Sequence, residues 1–303
     1  MKTQMRNTLL LVLCAFIWGM AFVAQSVGSG LGAFTFLACR SWLALVVLYP
    51  TMYLFDKVRQ RRGTPQPPTD RRLLVRGGFV CGTLLFFASA AQQIAITLDP
   101  STAKASFITA MYVVLVPLIS LLFGRRNGFQ LWVSVAISVA GLYLLCMHGG
   151  FGTVSQSDLI LMLCALLFAF QIMAVDHYSP LLDGVRLSMA QFITVAAWST
   201  VFAFLFETPR WADISANALP LLYCGLFSSG IAYTLQIVGQ KGLNPAIASL
   251  AMCLESVFGA LGGWALLRQT LTARESFGCV LIFAAVVLAQ LPLSDWLHAR
   301  HSS

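Results

Sequence analysis

Apolar runs of roughly 20 residues recur from one end of this chain to the other, each long enough to cross bilayer hydrocarbon as a helix. Ten are read, at about 7–27, 33–55, 75–97, 102–123, 129–147, 158–176, 187–206, 216–239, 245–266 and 275–293. Only 10% of the residues are charged and 58% are hydrophobic, against about 25% charged in a soluble domain. Too little polar surface is left to clothe a globule in water. The expected fold is therefore an all-α integral membrane protein with ten transmembrane helices. The first run is too long for the apolar part of a cleaved signal, and Trp18 and Phe22 interrupt any small-residue cleavage pattern, so it reads as a retained helix. Connections are short. The longest, about 56–72, carries Pro65, Pro67, Pro68 and several arginines.

The net charge of +8 does not point to nucleic acid, because its distribution follows a zigzag. With the N-terminus inside, the inner segments hold 14 of the 19 Lys and Arg and the outer ones hold Arg210, Arg268 and Arg274, while Arg40 and Lys104 fall within helices. This is the positive-inside bias, which places both termini in the cytoplasm of a bacterial-type inner membrane. The basic 56–76 stretch then meets anionic lipid headgroups. All eight cysteines lie inside apolar runs and form no CxxC, so they read as packing residues. No metal or cofactor motif is found, and none is expected.

Two stretches read almost alike: LCAFIWGMAFVA, Leu13 to Ala24, and LCALLFAFQIMA, Leu163 to Ala174, 150 residues apart. At an offset of 143, Cys81-Gly82 matches Cys224-Gly225, Gln93-Ile94 matches Gln236-Ile237, and Ala105-Ser106 matches Ala248-Ser249. The offset shrinks where the 56–72 connection is replaced by the shorter 207–215. Residues 1–149 (helices 1–5) and 150–303 (helices 6–10) thus read as two copies of one unit. An odd number of crossings turns the second copy over. Two inverted five-helix repeats allow two shapes of similar energy, one open to each side, with a site near the midplane.

At this point the chain resembles the drug/metabolite transporter superfamily, in its EamA-type ten-helix members. The resemblance rests on AFIWGMAFVAQ (Ala15–Gln25), Arg40, PSTAKASFITAMYVVLVPL (Pro100–Leu118) and AYTLQIVGQKGLNPAIASLAMCLESVFGALGGWALL (Ala232–Leu267). It departs at Ser256, where the family's LEPVF has proline, and at Arg125 and Arg268-Gln269, where helices 4 and 9 often end in Gly-Glu. The resemblance implies an inner-membrane exporter or carrier of amino acids or other small metabolites. It also implies a cavity enclosed by helices 1–4 and 6–9, with 5 and 10 peripheral.

Polar groups in hydrocarbon are costly and mark buried contacts or a wet path. Glu255 lies mid-helix on a stripe of Ala248, Ala251, Gly259 and Gly262 that admits a neighbouring helix. It is the proton-coupling candidate, or an acid bonded to that neighbour. Lys104 either snorkels to the surface or meets a substrate carboxylate, phosphate or Glu255; Thr109 and Tyr112 continue its track, and Ile247 is its counterpart. Arg40 reads as a structural intramembrane charge, and Asp176 and His177 as a solvated helix end. The repeat-related pair Gln93 and Gln236 is placed one toward each mouth. With Gln25, and with Trp18, Tyr112 and Tyr233 as aromatic walls, these complete the substrate-binding candidates: Trp18, Gln25, Gln93, Lys104, Tyr112, Tyr233, Gln236 and Glu255. Other in-span glutamines, such as Gln92, Gln171 and Gln191, fit interhelical bonds as well as a site.

The expected activity is secondary transport of a small polar or amphipathic metabolite, with an amino acid as candidate, by alternating access and outward. A gradient must drive it, because no GxxxxGK[ST] is present and no ATPase subunit is implied. Uptake or exchange of a small organic anion is the competing transport reading. An intramembrane enzyme would need HExxH, GxSxG or paired acids in the spans, and none occurs, so no catalytic residue is assigned. A sensor would need an output domain, and none is recognised. The expected partners are the substrate and membrane lipids. Tags inserted after residues 149 and 240 are expected on opposite faces of the membrane; protease protection in oriented vesicles checks this, and a shared face removes the inversion.

Overall fold

The computed structural model describes residues 2–61, 70–99, 102–147, 154–267 and 270–291, with backbone alone at 2, 26, 29, 102–104 and 266–267. All regular structure among them is helical. Ten helices are long and apolar enough to cross a membrane: α1 Thr3–Gln25, α2 Ala33–Arg61, α3 Arg71–Leu98, α4 Ala105–Leu122, α5 Phe129–Cys146, α6 Gln156–Tyr178, α7 Gly184–Phe206, α8 Ala218–Gln240, α9 Pro245–Ala265 and α10 Ala273–Gln290. These bounds match the apolar runs to within a few residues. The chain is thereby a multi-pass membrane protein. The 207–215 connection, expected as a plain loop, holds a short helix, Trp211–Ala216.

Helix starts are set by side chains that satisfy the first free backbone N–H groups. Asp70 caps α3 and Asp183 caps α7. Capping boxes of Ser155 with Asp158 and Thr272 with Glu275 open α6 and α10. Asn244 caps α9, whose first residue is Pro245, where a missing N–H costs nothing.

Two helices are broken at matching places. The α4 path turns at Ala110 and Met111, between Thr102–Thr109 and Tyr112–Leu122. The α9 path turns at Cys253, between Pro245–Met252 and Leu254–Leu267. The bonds Ala110 N–H to Ser106 O and Val113 N–H to Ala110 O recur as Cys253 N–H to Ser249 O and Ser256 N–H to Cys253 O. Each pair is shifted by the same 143 residues. The middle of α8, Tyr223–Ala232, is wound as a π-helix, a widening common beside functional sites.

The packing partners also map onto one another when each helix is exchanged with the one five places on. The neighbours α3–α6 correspond to α8–α1, α3–α7 to α8–α2, and α1–α9 to α6–α4, while α2–α7 and α5–α10 map onto themselves. Helices α2 and α7 run antiparallel. Thr35 meets Glu207, Trp42 meets Thr200, and Asp56 meets Arg186, with Arg59–Asp183 at 2.8 Å beyond it. Helices α5 and α10 are antiparallel too: Gln130 bonds the carbonyls of Leu288 and Leu291, and Gly141 faces Gly278. Gly82 lies against Gln191 and Thr194, and Gly225 lies against Arg40 and Leu43. The last correspondence relates α2 to α7 by one offset of 151 residues, which also carries Thr35 to Arg186 and Asp56 to Glu207.

The small-residue stripe on α9 receives α1. A Cβ on Gly19 would lie 2.6 Å from both Glu255 O and Gly259 N, so the two backbones touch. Gly19→Leu is therefore expected to prevent recovery of monodisperse protein or to cost at least about 3 kcal/mol by overpacking. Gly30→Ala, whose added methyl meets nothing within 4 Å, serves as control. Thermal unfolding in detergent reads the difference.

Candidate functional site

The α4 and α9 breaks bring Tyr112 and Glu255 into the first turns after them, and these two side chains meet. The Tyr112 hydroxyl donates to Glu255 Oε1 at 2.9 Å across 143 residues, the repeat offset itself. Glu255 is 5% exposed. Both line a cavity built from α1–α4, α6, α8 and α9.

The walls are aromatic. Trp18 packs on Tyr233 with ring centroids 4.7 Å apart, and Phe192 backs Tyr233 at 5.5 Å. Phe168 and Ile172 of α6 line the cavity opposite Trp18 and Phe22 of α1. They are the same two positions, shifted by 150.

Of the sequence-derived candidates, Trp18, Gln25, Tyr112, Tyr233, Gln236 and Glu255 line this one cavity. Gln93 does not line it. Its side chain is 2% exposed, and neither amide atom has a partner. Lys104 is in the first turn of the helix Thr102–Thr109, but its side chain lies outside the described residues. Arg40, read from sequence as a structural charge, also lines the cavity. Its Nε donates to Ser229 Oγ at 2.9 Å, it is 4% exposed, and among the described residues it has no acidic partner. Gln92, Thr109 and Ser228 complete the polar lining.

Among the described residues two lining groups are buried without a partner, the Trp18 indole N–H and Gln25 Oε1, while the Thr109 hydroxyl has the Cys164 thiol beside it. Buried polar groups are nearly always bonded, and each orphan costs about 1–3 kcal/mol. Together with the Arg40 guanidinium, which has no acidic partner among the described residues, they offer donors and an acceptor to the cavity. The arrangement suits a small molecule with an anionic group for Arg40, a second polar or cationic group for Glu255 and an apolar body between aromatic rings.

Toward the face that carries the N-terminus the cavity is shut. Gln171 exchanges amide bonds with Gln236, the shorter at 3.0 Å, and donates to Gln191 at 3.2 Å. One turn further, Gln240 bonds Ile172 O. Beyond that, Arg125 pairs with Asp176 at 2.5 Å. Asp176, expected as part of a solvated helix end, is 7% exposed because this arginine, in the turn after α4, folds over it. Gln25, Arg40, Gln92 and Thr109 all belong to the half of the bundle nearer the opposite face.

The sequence profile of the EamA-like transporter family matches residues 5–147 and again 156–291. An uncharacterised transporter of Archaeoglobus fulgidus is 30% identical over 284 residues, covering 93% of this chain and 84% of its own. The uncharacterised inner membrane transporter YedA of Escherichia coli K12 is 28% identical over 197 residues, 61% of this chain and 62% of its own. A solved crystal structure shares the fold with a TM-score of 0.75 at 19% identity, covering 98% of this chain and 99% of that one.

The Tyr112–Glu255 bond joins the two broken helices at their breaks, and Ser106 donates to Ser256 at 2.8 Å beside it. Tyr112→Phe is expected to lower unfolding stability by about 1–3 kcal/mol, because a buried carboxylate loses its donor. The same change is expected to cost less in a Glu255→Gln background. A double-mutant cycle on detergent unfolding midpoints measures the coupling.

Proposed function

The chain belongs to the EamA-like transporter family, and from that premise we propose that it is a secondary carrier of a small polar or amphipathic metabolite, an amino acid in the first instance. The observation that carries this reading is the cavity in which a guanidinium with no acidic partner among the described residues and a carboxylate share aromatic walls. Arg40 takes the substrate's anionic end, Glu255 its cationic or donor end, and Trp18, Phe22, Phe168 and Tyr233 its apolar body.

The carrier works by alternating access between two inverted repeats. The antiparallel course of α2 against α7 and of α5 against α10, the matched helix breaks and the two stretches that fit one family profile all support the inversion. The N-terminal face is cytoplasmic by the positive-inside bias. The structure then stands closed to the cytoplasm, with its cavity nearer the outer mouth, a conformation from which an exporter releases its load.

No nucleotide site supplies energy, so a gradient does. Glu255 is the group for proton exchange, because its carboxyl sits where substrate and Tyr112 compete for it. Exchange of a small organic anion is the second reading, favoured by the absence of an acidic partner for Arg40 among the described residues.

Counterflow in proteoliposomes over a panel of zwitterions and mono-anions tests both readings. Arg40→Ala is expected to lower the apparent affinity for carboxylate-bearing substrates about tenfold or more, since charged hydrogen bonds contribute about 1.5–3 kcal/mol. Glu255→Gln is expected to weaken zwitterion counterflow and to abolish the pH-gradient response of the transport that remains. Parent transport that ignores that gradient overturns proton coupling, and counterflow restricted to anions overturns the zwitterion reading.

A further inference from the structure

The glutamine cluster that shuts the cytoplasmic side has a mate on the outer side, and the mate is altered. In the repeat register, Gln236 corresponds to Gln93, Gln191 to Arg40 and Gln171 to Ala21, by offsets of 143, 151 and 150. Gln236 is bonded through both amide atoms. Gln93, its equivalent, is 2% exposed and bonded through neither. A buried amide with both ends unpaired is a group waiting for a partner in another arrangement.

We propose that Arg40 and Gln93 form the outer gate of this carrier: they pair when the outer mouth closes, and separate in the conformation seen here. The inference rests on the carrier reading above, since exchange of conformations between inverted repeats is what moves the outer half into the closed arrangement. Residue sizes fit the exchange. On the cytoplasmic side Gln171 bridges Gln191 and Gln236, all three being amides. On the outer side the bridging position is Ala21, a cavity-lining residue. The methyl leaves room, and the longer arginine in place of Gln191 spans what the missing amide would have bridged. Guanidinium N–H groups then donate to Gln93 Oε1.

Arg40 is also the anionic subsite of the cavity. Pairing with Gln93 would draw its donors away from the substrate as the outer mouth closes. Affinity for the substrate's anionic end would therefore be lower in the cytoplasm-open state than in the state seen here.

The test uses Thr109→Cys as reporter in a full-length chain whose eight native cysteines are replaced. A membrane-impermeant maleimide is applied from each face in right-side-out and inside-out vesicles. Gln93→Glu gives Arg40 an ionic partner and is expected to slow outer labelling, and speed cytoplasmic labelling, by about tenfold or more. Gln93→Leu removes the orphan amide and the pair, and is expected to slow cytoplasmic labelling about fivefold. A misfolded protein would not give these opposite signs. Arg40→Gln added to Gln93→Glu is expected to cancel the shift.

Unchanged labelling in Gln93→Glu, or a shift that survives Arg40→Gln, overturns the gate. Gln236→Ala, which breaks the cytoplasmic cluster, reports on the underlying reading. If cytoplasmic labelling never appears even there, alternating access fails and the gate fails with it. If it appears while the Gln93 variants do nothing, only the gate is lost.

Discussion

In a hydrocarbon solvent a polar side chain must find its partner inside the protein, and that single constraint sorts this molecule into scaffold and site. Where the partner is supplied, the group holds helices together. Asn7 reaches Lys241 O, Trp198 donates to Thr83, Ser188 meets Thr234, and Tyr223 donates to Ile17 O. Some groups whose partner is missing border a cavity or a proposed moving contact, while others, such as Thr8, Ser179 and Gln290, lie elsewhere in the bundle. The unpaired Trp18 and Gln25 atoms and the Arg40 guanidinium, which has no acidic partner among the described residues, line one cavity, and Gln93 lies outside its lining. Apolar packing alone would not separate these roles, because lipid tails reward burial against protein no more than exposure to lipid.

The same constraint explains why α2 and α7 form a rigid spine. At one end Glu207 accepts from the N–H groups of Phe34 and Thr35 and from the Thr35 hydroxyl, at 2.9, 2.8 and 2.6 Å. The α2 start, left without an N-cap of its own kind, is thus completed by an acid from α7. At the other end Arg186 meets Asp56 at 3.0 Å. These are one contact written twice, since Thr35 corresponds to Arg186 and Glu207 to Asp56. A pair of helices fastened at both ends cannot open at either mouth by parting from each other. Movement between the proposed states therefore falls on the helices around the spine, among them the broken α4 and α9. A break needs less reorganisation to bend than a continuous ladder of hydrogen bonds does.

Much of this was legible before any coordinates. Ten spans follow from hydropathy, because a chain in lipid has one way to satisfy its backbone for twenty residues at a time. The small-residue stripe around Glu255 announced the close neighbour that proved to be α1 at Gly19. Phe168 and Ile172 were recoverable from the opening repeat, as the partners of Trp18 and Phe22. What stayed hidden depended on angle. Hydropathy treats Gln92 and Gln93 alike, yet only Gln92 faces the cavity. The turns at Ala110 and Cys253 have no proline or glycine to mark them. Asp176 looked solvated because its partner, Arg125, is 51 residues away in sequence.

The departures from the repeat carry as much meaning as the repeat. A perfectly symmetric pair of halves would weigh the two mouths equally and offer the substrate two identical ends. This chain breaks the symmetry at its axis, where one copy has Tyr112 and the other Glu255, and again where Arg40 faces the place of Gln191. Both substitutions put charge on one side of an otherwise matched cavity. In the proposed carrier a zwitterion then has a preferred orientation, and the two closures differ in chemistry: amide to amide with the Arg125–Asp176 ion pair beyond it on one side, guanidinium to amide on the other. In that proposed carrier an anion held by Arg40 therefore competes with closure of the outer mouth.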